Sequence, residues 1–249
     1  MRIIDAHVHN WSVFADPKVL IQALDRFAID WVVLLSDLTG GPYPAPEEVT
    51  AANERTLALM RRCPERIIGF AYLNPAYPKH AGEELRRCFE AGMMGVKLWV
   101  ATKCNDPQVF PVVEAAIELG MPLVVHTWNK ITGNLPHESR PTDLADLARR
   151  YPEARFQMAH IGGDWEFGCK AIRDCPQVKV DFAGTVNEWG AYEMALRELG
   201  EDRIVFGTDM PADYHLNLGR VLQGNYPEEV KQKILADNFE ALLPRPLPH

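Results

Sequence analysis

The sequence predicts a single α/β domain, residues 1–249, folded as a (β/α)8 TIM barrel with a C-terminal helix. Three observations carry this expectation: eight short apolar runs, helical periodicity between them, and a spacing of about 31 residues per unit, the size of one βα repeat. The runs are Ile3–His9, Trp31–Ser36, Ile67–Leu73, Gly95–Val100, Leu123–Trp128, Phe156–Ile161, Val178–Ala183 and Ile204–Asp209. Each is rich in Val, Ile and Phe and bounded by Gly, Pro, Asn or Asp, the pattern of a short buried strand. Buried strands alternating with helices imply a parallel sheet.

The first run is followed by Asn10-Trp11-Ser12. An open doubly wound sheet usually has a glycine-rich phosphate loop at that point, so the closed barrel is the better fit. Next, Pro17–Phe27 places Val19, Leu20, Ala23, Leu24 and Phe27 on one helical face. Pro46–Arg62 repeats the pattern with Val49, Ala52, Leu57 and Met60, and Pro107–Leu119 with Val109, Val112, Val113, Ala116 and Leu119. Gly92, Gly120 and Gly200 stand where helices end before the next strand, and glycine tolerates the left-handed conformation common there. Pro227–Leu243 reads as the terminal helix and Pro244–His249 as a tail.

Composition narrows the function classes. A hydrophobic share of 47% with 24% charged residues excludes wholesale disorder. The net charge of −8 argues against nucleic-acid binding through a basic surface. No segment approaches the roughly 20 apolar residues of a membrane span, and the first residues lack a signal-peptide core. The five cysteines, Cys63, Cys88, Cys104, Cys169 and Cys175, show no C-x-x-C spacing and read as reduced structural thiols of a cytoplasmic protein.

In such barrels function sits at the C-terminal ends of the strands. Residues two apart on a strand share a face, so Asp5, His7 and His9 point the same way, with His7 and His9 nearest the mouth. The fifth run supplies His126, the sixth His160, the eighth Asp209 and the fourth Lys97. Four of the eight histidines at strand ends, joined by Asp209, are hard to explain as packing and predict a metal site. Neutral imidazole and carboxylate suit Zn2+ foremost, with Mn2+, Fe2+ and Co2+ compatible, and a catalytic site leaves one position for a water that loses its proton near neutral pH.

This constellation resembles the metal-dependent amidohydrolase superfamily. Asp5-Ala6-His7-Val8-His9 is similar to its strand-one H-x-H, and His126, His160 and Asp209 match its later strand positions. Gly95-Val96-Lys97-Leu98, Phe206-Gly207-Thr208-Asp209-Met210-Pro211 and the ending Ile234–Leu243 resemble the amidohydrolase-related branch, which includes aminocarboxymuconate-semialdehyde decarboxylase-like enzymes. The resemblance covers essentially the whole chain.

The resemblance implies that His7, His9, His126 and Asp209 bind metal. His160 is an acid–base or polarising group in single-metal relatives and a ligand in two-metal ones. Lys97 is then either an unmodified lysine facing a buried carboxylate or substrate anion, or a carbamate bridging two metals. Asp209 would be the general base, with His160 polarising the electrophilic carbonyl, and Asp5 would orient a ligand histidine. Trp11, Trp99, Trp128 and Trp165 stand at or just past strand ends and suggest an apolar pocket for a small molecule. Tyr43, Tyr77 and Tyr214 lie in similar loops. The loop Asn129–Pro141 carries Lys130 and Arg140, and Arg140 is a candidate for a substrate carboxylate. Gly162, Gly163 and Asp164 form either an anion-binding turn or simply a tight one.

The leading functional expectation is hydrolysis of a C–O or C–N bond (lactone, ester or amide) in a small cyclic or carboxylated substrate. The alternative is a metal-dependent non-oxidative decarboxylase. A TatD-like nuclease is more distant, because strand four offers Lys97 and no glutamate. No membrane partner is expected, and relatives of this kind are often homodimers.

Overall fold

A computed structural model of the protein describes residues 1–10, 16–36, 41–184, 188–209 and 214–248. Seven strands form one sheet in chain order, every neighbouring pair parallel. They are β1 (Ile4–Val8), β2 (Trp31–Leu34), β3 (Ile67–Leu73), β4 (Gly95–Leu98), β5 (Leu123–Val125), β6 (Phe156–Met158) and β7 (Val178–Val180). The principal helices between and after them are α1 (Pro17–Arg26), α2 (Pro46–Arg62), α3 (Pro78–Glu90), α4 (Phe110–Glu118), α5 (Pro141–Arg150), α6 (Trp165–Ala171), α7 (Ala191–Leu199) and α8 (Tyr214–Gln223). Proline stands at the first helical position of α1, α2, α3 and α5, where its missing N–H costs nothing.

The eighth predicted strand is the main departure. Ile204 forms a single bridge to Val180 rather than a ladder. The segment nonetheless fills the gap between β7 and β1. Val205 N–H donates to Val180 O at 2.8 Å, Ala6 N–H to Phe206 O at 2.9 Å, and Asp209 N–H to His7 O at 2.8 Å. Regular pairing fails because other donors are diverted: Phe206 N–H to Ile234 O at 2.8 Å and Thr208 N–H to the Asp5 carboxyl at 3.1 Å. The barrel therefore closes, with the Asp5 carboxyl and the Ile234 carbonyl taking donors that a regular last ladder would use.

Several strands are shorter than their apolar runs, so the chemistry-bearing residues fall in the first turn beyond them. The predicted terminal helix runs without a gap over 228–240, with a π-helical turn, Lys233–Asp237, between Glu228–Gln232 and Asn238–Glu240. Its Ala236, Phe239 and Leu242 join Ile4, Val33, Phe70 and Val124 of the barrel in one buried cluster, with the Phe70 and Phe239 rings 6.1 Å apart. Among the described residues no helix is long and apolar enough to cross a membrane. All five cysteines are free thiols.

Candidate metal centre

The strand ends bring His7, His9, His126, His160 and Asp209 together, all four histidines buried and Asp209 at 26% side-chain exposure. Ligand atoms of His7, His160 and Asp209 lie within 4.8 Å of one another. His9 Nε2 is 3.7 Å and His7 Nε2 is 3.9 Å from Asp209 Oδ1. His126 joins through His160, its Nδ1 lying 3.1 Å from His160 Nε2.

Each imidazole has one nitrogen tied to a group that can only accept, and this sets its tautomer. His7 Nδ1–H donates to Asp181 Oδ2 at 3.0 Å. His9 Nδ1–H donates to the Ser36 carbonyl at 3.1 Å, and His160 Nδ1–H to the Ala183 carbonyl at 2.6 Å. His126 uses its other nitrogen, Nε2–H, toward Glu138 Oε1 at 2.8 Å. His7 and His9 thereby turn Nε2 toward Asp209. His126 Nδ1 and His160 Nε2 face each other as two lone pairs. That contact is repulsive unless a proton or cation lies between them. Two nitrogens about 2.1 Å from one ion can be about 3 Å apart, so the donor set fits a divalent metal.

Electrostatics keep the ligands in their binding form. Burial holds His7, His9 and His160 well below the ordinary imidazole range, with Lys97 or neighbouring imidazoles adding to it. Burial lowers His126 as well, although the hydrogen bond to Glu138 opposes it. Neutral imidazole is the form that donates to a metal. Burial also pushes the fully enclosed Lys97 down to about 8, against the pull of Asp209 and Asp181. Its Nζ stands 3.5 Å from His7 Nε2.

Asp5 departs from its expected role. The carboxylate at the His7 ring is Asp181, not Asp5. Asp5 instead takes Thr208 Oγ1–H at 2.6 Å, Thr208 N–H at 3.1 Å and His7 N–H at 3.2 Å. It ties β1 to the eighth segment through the backbone, and burial pushes its carboxyl up to about 8. Asp181 accepts four bonds: from the His7 ring, from Gln157 Nε2 at 2.6 Å, and from the His160 and Ala183 N–H groups at 2.9 and 3.0 Å. Sequence reading missed it, though the strand-end rule applied to the seventh run would have found it, one residue past Val180. Glu138 carries no comparable sequence signal, because it stands in the loop after the fifth run and not at a strand end. Burial raises its carboxyl, but bonds from His126, Lys130 and Leu135 N–H prevail and hold it at about 2.

The loops after the strands adopt uncommon backbone. Ser36, His160, Ile161 and Asp209 have φ of 64°, 62°, 43° and 55°. Such conformations in residues other than glycine cost energy and cluster at functional sites. Gly184, at φ 61°, makes room for them: a Cβ there would lie 2.7 Å from Asp209 Oδ2. Gly163, at φ 72°, seats Trp128, since its Cβ would fall 2.3 Å from that ring. The glycine turn thus serves packing.

Of the expected substrate contacts, Trp128 reaches the site, its ring 4.8 Å from that of His160 and 5.9 Å from that of His126. Trp165 lines an adjoining cavity of about 380 Å³ with Lys130, Ile161 and Phe182, and its Nε1–H donates to Glu188. Trp99 is half-buried one residue past β4. Trp11 lies outside the described residues. Arg140 is a correction: it is exposed at the start of α5, its backbone N–H donating to Asp143 at 2.8 Å. The loop cation that turns inward is Lys130, 2.7 Å from Glu138.

Comparison with known proteins shows which families and folds this chain is similar to. The family described as amidohydrolase matches residues 4–245. A 2-amino-3-carboxymuconate-6-semialdehyde decarboxylase from Dictyostelium discoideum is 25% identical over 260 residues, covering 87% of this chain and 71% of the relative. The structure of 2,6-dihydroxybenzoate decarboxylase from Rhizobium superposes with a TM-score of 0.78 at 16% identity, over 97% of this chain and 98% of that one. A dihydroxybenzoic acid decarboxylase from Polaromonas with bound manganese gives 0.74 at 19%, over 97% and 96%.

Proposed function

Because the chain belongs to the amidohydrolase family, we propose that it is a metal-dependent decarboxylase that releases carbon dioxide, without oxidation, from a small cyclic or unsaturated carboxylate. The observation that carries this reading is the convergence of His7, His160 and Asp209 at the barrel mouth, with His9 and His126 beside them. The named decarboxylase relative favours carbon dioxide release over hydrolysis of a C–O or C–N bond, which the same residues would also serve.

Decarboxylation breaks a C–C bond, leaves the electron pair on carbon and requires a proton there. His7, His9, Asp209 and the His126–His160 pair would hold a divalent ion, which would supply Lewis acidity toward the substrate's carboxylate or neighbouring oxygen. Asp209 is partly solvent-accessible, at the end of the eighth barrel segment. It would take a proton from solvent and deliver it to the carbon from which carbon dioxide departs. His126 is held by Glu138, and Glu138 by Lys130, so this side of the site keeps a fixed donor geometry. Trp128 presents a flat wall for a planar substrate. Imidazole and carboxylate accept zinc and manganese alike, and the manganese of the Polaromonas relative makes these two the first to load.

The test uses metal-loaded protein and a panel of small carboxylates that includes 2,6-dihydroxybenzoate, run in D2O and separately in ¹⁸O water. Carbon dioxide release with deuterium at the vacated carbon supports the reading. Incorporation of ¹⁸O into product without carbon dioxide release overturns it in favour of hydrolysis.

A further inference from the structure

A buried polar chain leads from the metal centre into the helical layer. The Ser36 carbonyl that accepts from His9 Nδ1–H belongs to a residue at φ 64°, a conformation serine holds only when its surroundings fix it. The Ser36 hydroxyl has two acceptors in reach, Asn53 Oδ1 at 2.9 Å and the Phe70 carbonyl at 3.1 Å, and Thr56 Oγ1–H donates to it at 3.1 Å. Asn10, next to His9, donates to Thr56 at 3.3 Å, so His9, Ser36, Thr56 and Asn10 close a ring.

Asn53, on α2 and fully buried, is the anchor of this ring. Its Oδ1 also accepts Tyr72 N–H at 2.8 Å, and its Nδ2 donates to Tyr72 O at 3.0 Å and to Glu84 Oε1 at 2.8 Å. The side chain is thus fixed to the β3 backbone on both faces. Glu84 continues outward to Arg87, and Arg87 to Glu54. A buried asparagine satisfied this fully cannot rotate without leaving donors or acceptors unpaired.

We propose that Asn53 is a positioning residue for the metal centre: through Ser36 it fixes the Nδ1–H tautomer and the ring orientation of His9. This rests on the metal-site part of the proposed function but not on the reaction catalysed. A group hydrogen-bonded to a ligand histidine typically changes metal affinity by about 10- to 100-fold when lost, and Asn53 acts on such a group, the Ser36 carbonyl, through the Ser36 hydroxyl.

The experiment compares wild type, Asn53→Ala, Ser36→Gly and Glu84→Gln. The metal-free proteins are read for histidine tautomers by ¹⁵N-detected side-chain NMR, and each is then titrated with Mn2+ against a competing chelator. Ser36→Gly keeps the carbonyl and tolerates positive φ while losing the hydroxyl link. Glu84→Gln keeps an acceptor for Asn53 and weakens only the outer ion pair. Asn53→Ala and Ser36→Gly should convert His9 from one tautomer to a mixture and weaken Mn2+ binding about 10- to 100-fold. Glu84→Gln should keep the His9 tautomer. A wild-type tautomer and Mn2+ affinity in Asn53→Ala overturn the proposal, as does a Glu84→Gln protein that perturbs His9 equally. Should Asn53→Ala fail to fold, an unperturbed His9 in Ser36→Gly overturns it alone. The tautomer pattern needs no metal, so a wild type that binds no Mn2+ would count against the proposed function while leaving this test decisive.

Discussion

Asp181→Asn is the most informative perturbation of the site. Asp181 is fully buried, and its Oδ2 accepts from His7 Nδ1 at 3.0 Å and Gln157 Nε2 at 2.6 Å, while Oδ1 accepts the His160 and Ala183 N–H groups. An asparagine offers an acceptor on one side only. If its amide NH2 takes the Oδ2 position, two donors face two donors. His7 relieves its share by moving its proton to Nε2, the atom directed at Asp209. If NH2 takes the Oδ1 position, two backbone N–H groups lose their acceptor and the turn carrying His160 shifts. Either arrangement disturbs a proposed metal ligand.

The magnitude follows from the count. Two buried donors stripped of an acceptor cost about 1–3 kcal/mol each, so about 2–6 kcal/mol of folding stability is at stake. Loss of the His7 tautomer lowers metal affinity by about 10- to 100-fold. Urea unfolding of the metal-free variant measures the first quantity, and Mn2+ titration against a chelator the second. A stability loss below about 1 kcal/mol together with wild-type Mn2+ affinity would refute the argument that Asp181 organises the site.

Three further outcomes are expected. Asp209→Asn should retain much of the metal, measured by elemental analysis, while turnover falls by orders of magnitude; near-normal turnover would remove its proton-carrying role. Gly184→Ala places a Cβ 2.7 Å from Asp209 Oδ2 at φ 61°, so steady-state assays should show activity falling at least about tenfold, with bound metal reduced or displaced. Glu138 has its carboxyl depressed from 4.5 to about 2, so its ionised form stabilises the fold above pH 4.5. That contribution is lost as pH falls toward 2. The melting temperature of metal-free wild type should therefore drop more steeply between pH 4.5 and 2 than that of Glu138→Gln.

The architecture was largely legible because the barrel repeats one pattern. Seven of the eight apolar runs are strands, in chain order and all parallel. The eighth is apolar like the others, but its pairing is decided by Asp5 and Ile234, which are remote in sequence and invisible to periodicity. The histidines and Asp209 were legible for a related reason: strand ends converge at the mouth whatever the loops do. The groups that orient them were not. Ser36 and Ala183 act through backbone carbonyls, which carry no residue signature. Asp181 and Glu138 act through partners 174 and 12 residues away, set by closure of the barrel and by the path of one loop. Arg140 shows the converse, a residue of the right chemistry in the right loop that is turned outward by its place at a helix start.

The division between rigid frame and strained rim also says how the site keeps its shape. The strands are buried throughout apart from Lys179 at the middle of β7, and each is locked to its neighbours. Ser36, His160, Ile161 and Asp209, all within three residues of the end of a barrel segment, take the left-handed conformation instead. Each such residue costs of order 1–3 kcal/mol, which must be offset locally. The offsets are visible. Ser36 is bound to Asn53, Ile161 N–H donates to Asp181 O at 2.7 Å, and Asp209 N–H to His7 O at 2.8 Å. The sharp turns let His160 and Asp209 point across the mouth at His7 instead of alternating in and out as a continued strand would require. Strain and metal geometry therefore have one origin, the need to end parallel strands abruptly and aim their last side chains at a single point. Stabilising the free protein by relaxing these turns, for instance with glycine at residue 160 or 209, removes a proposed ligand with the strain. Stability and function are coupled at those positions by geometry.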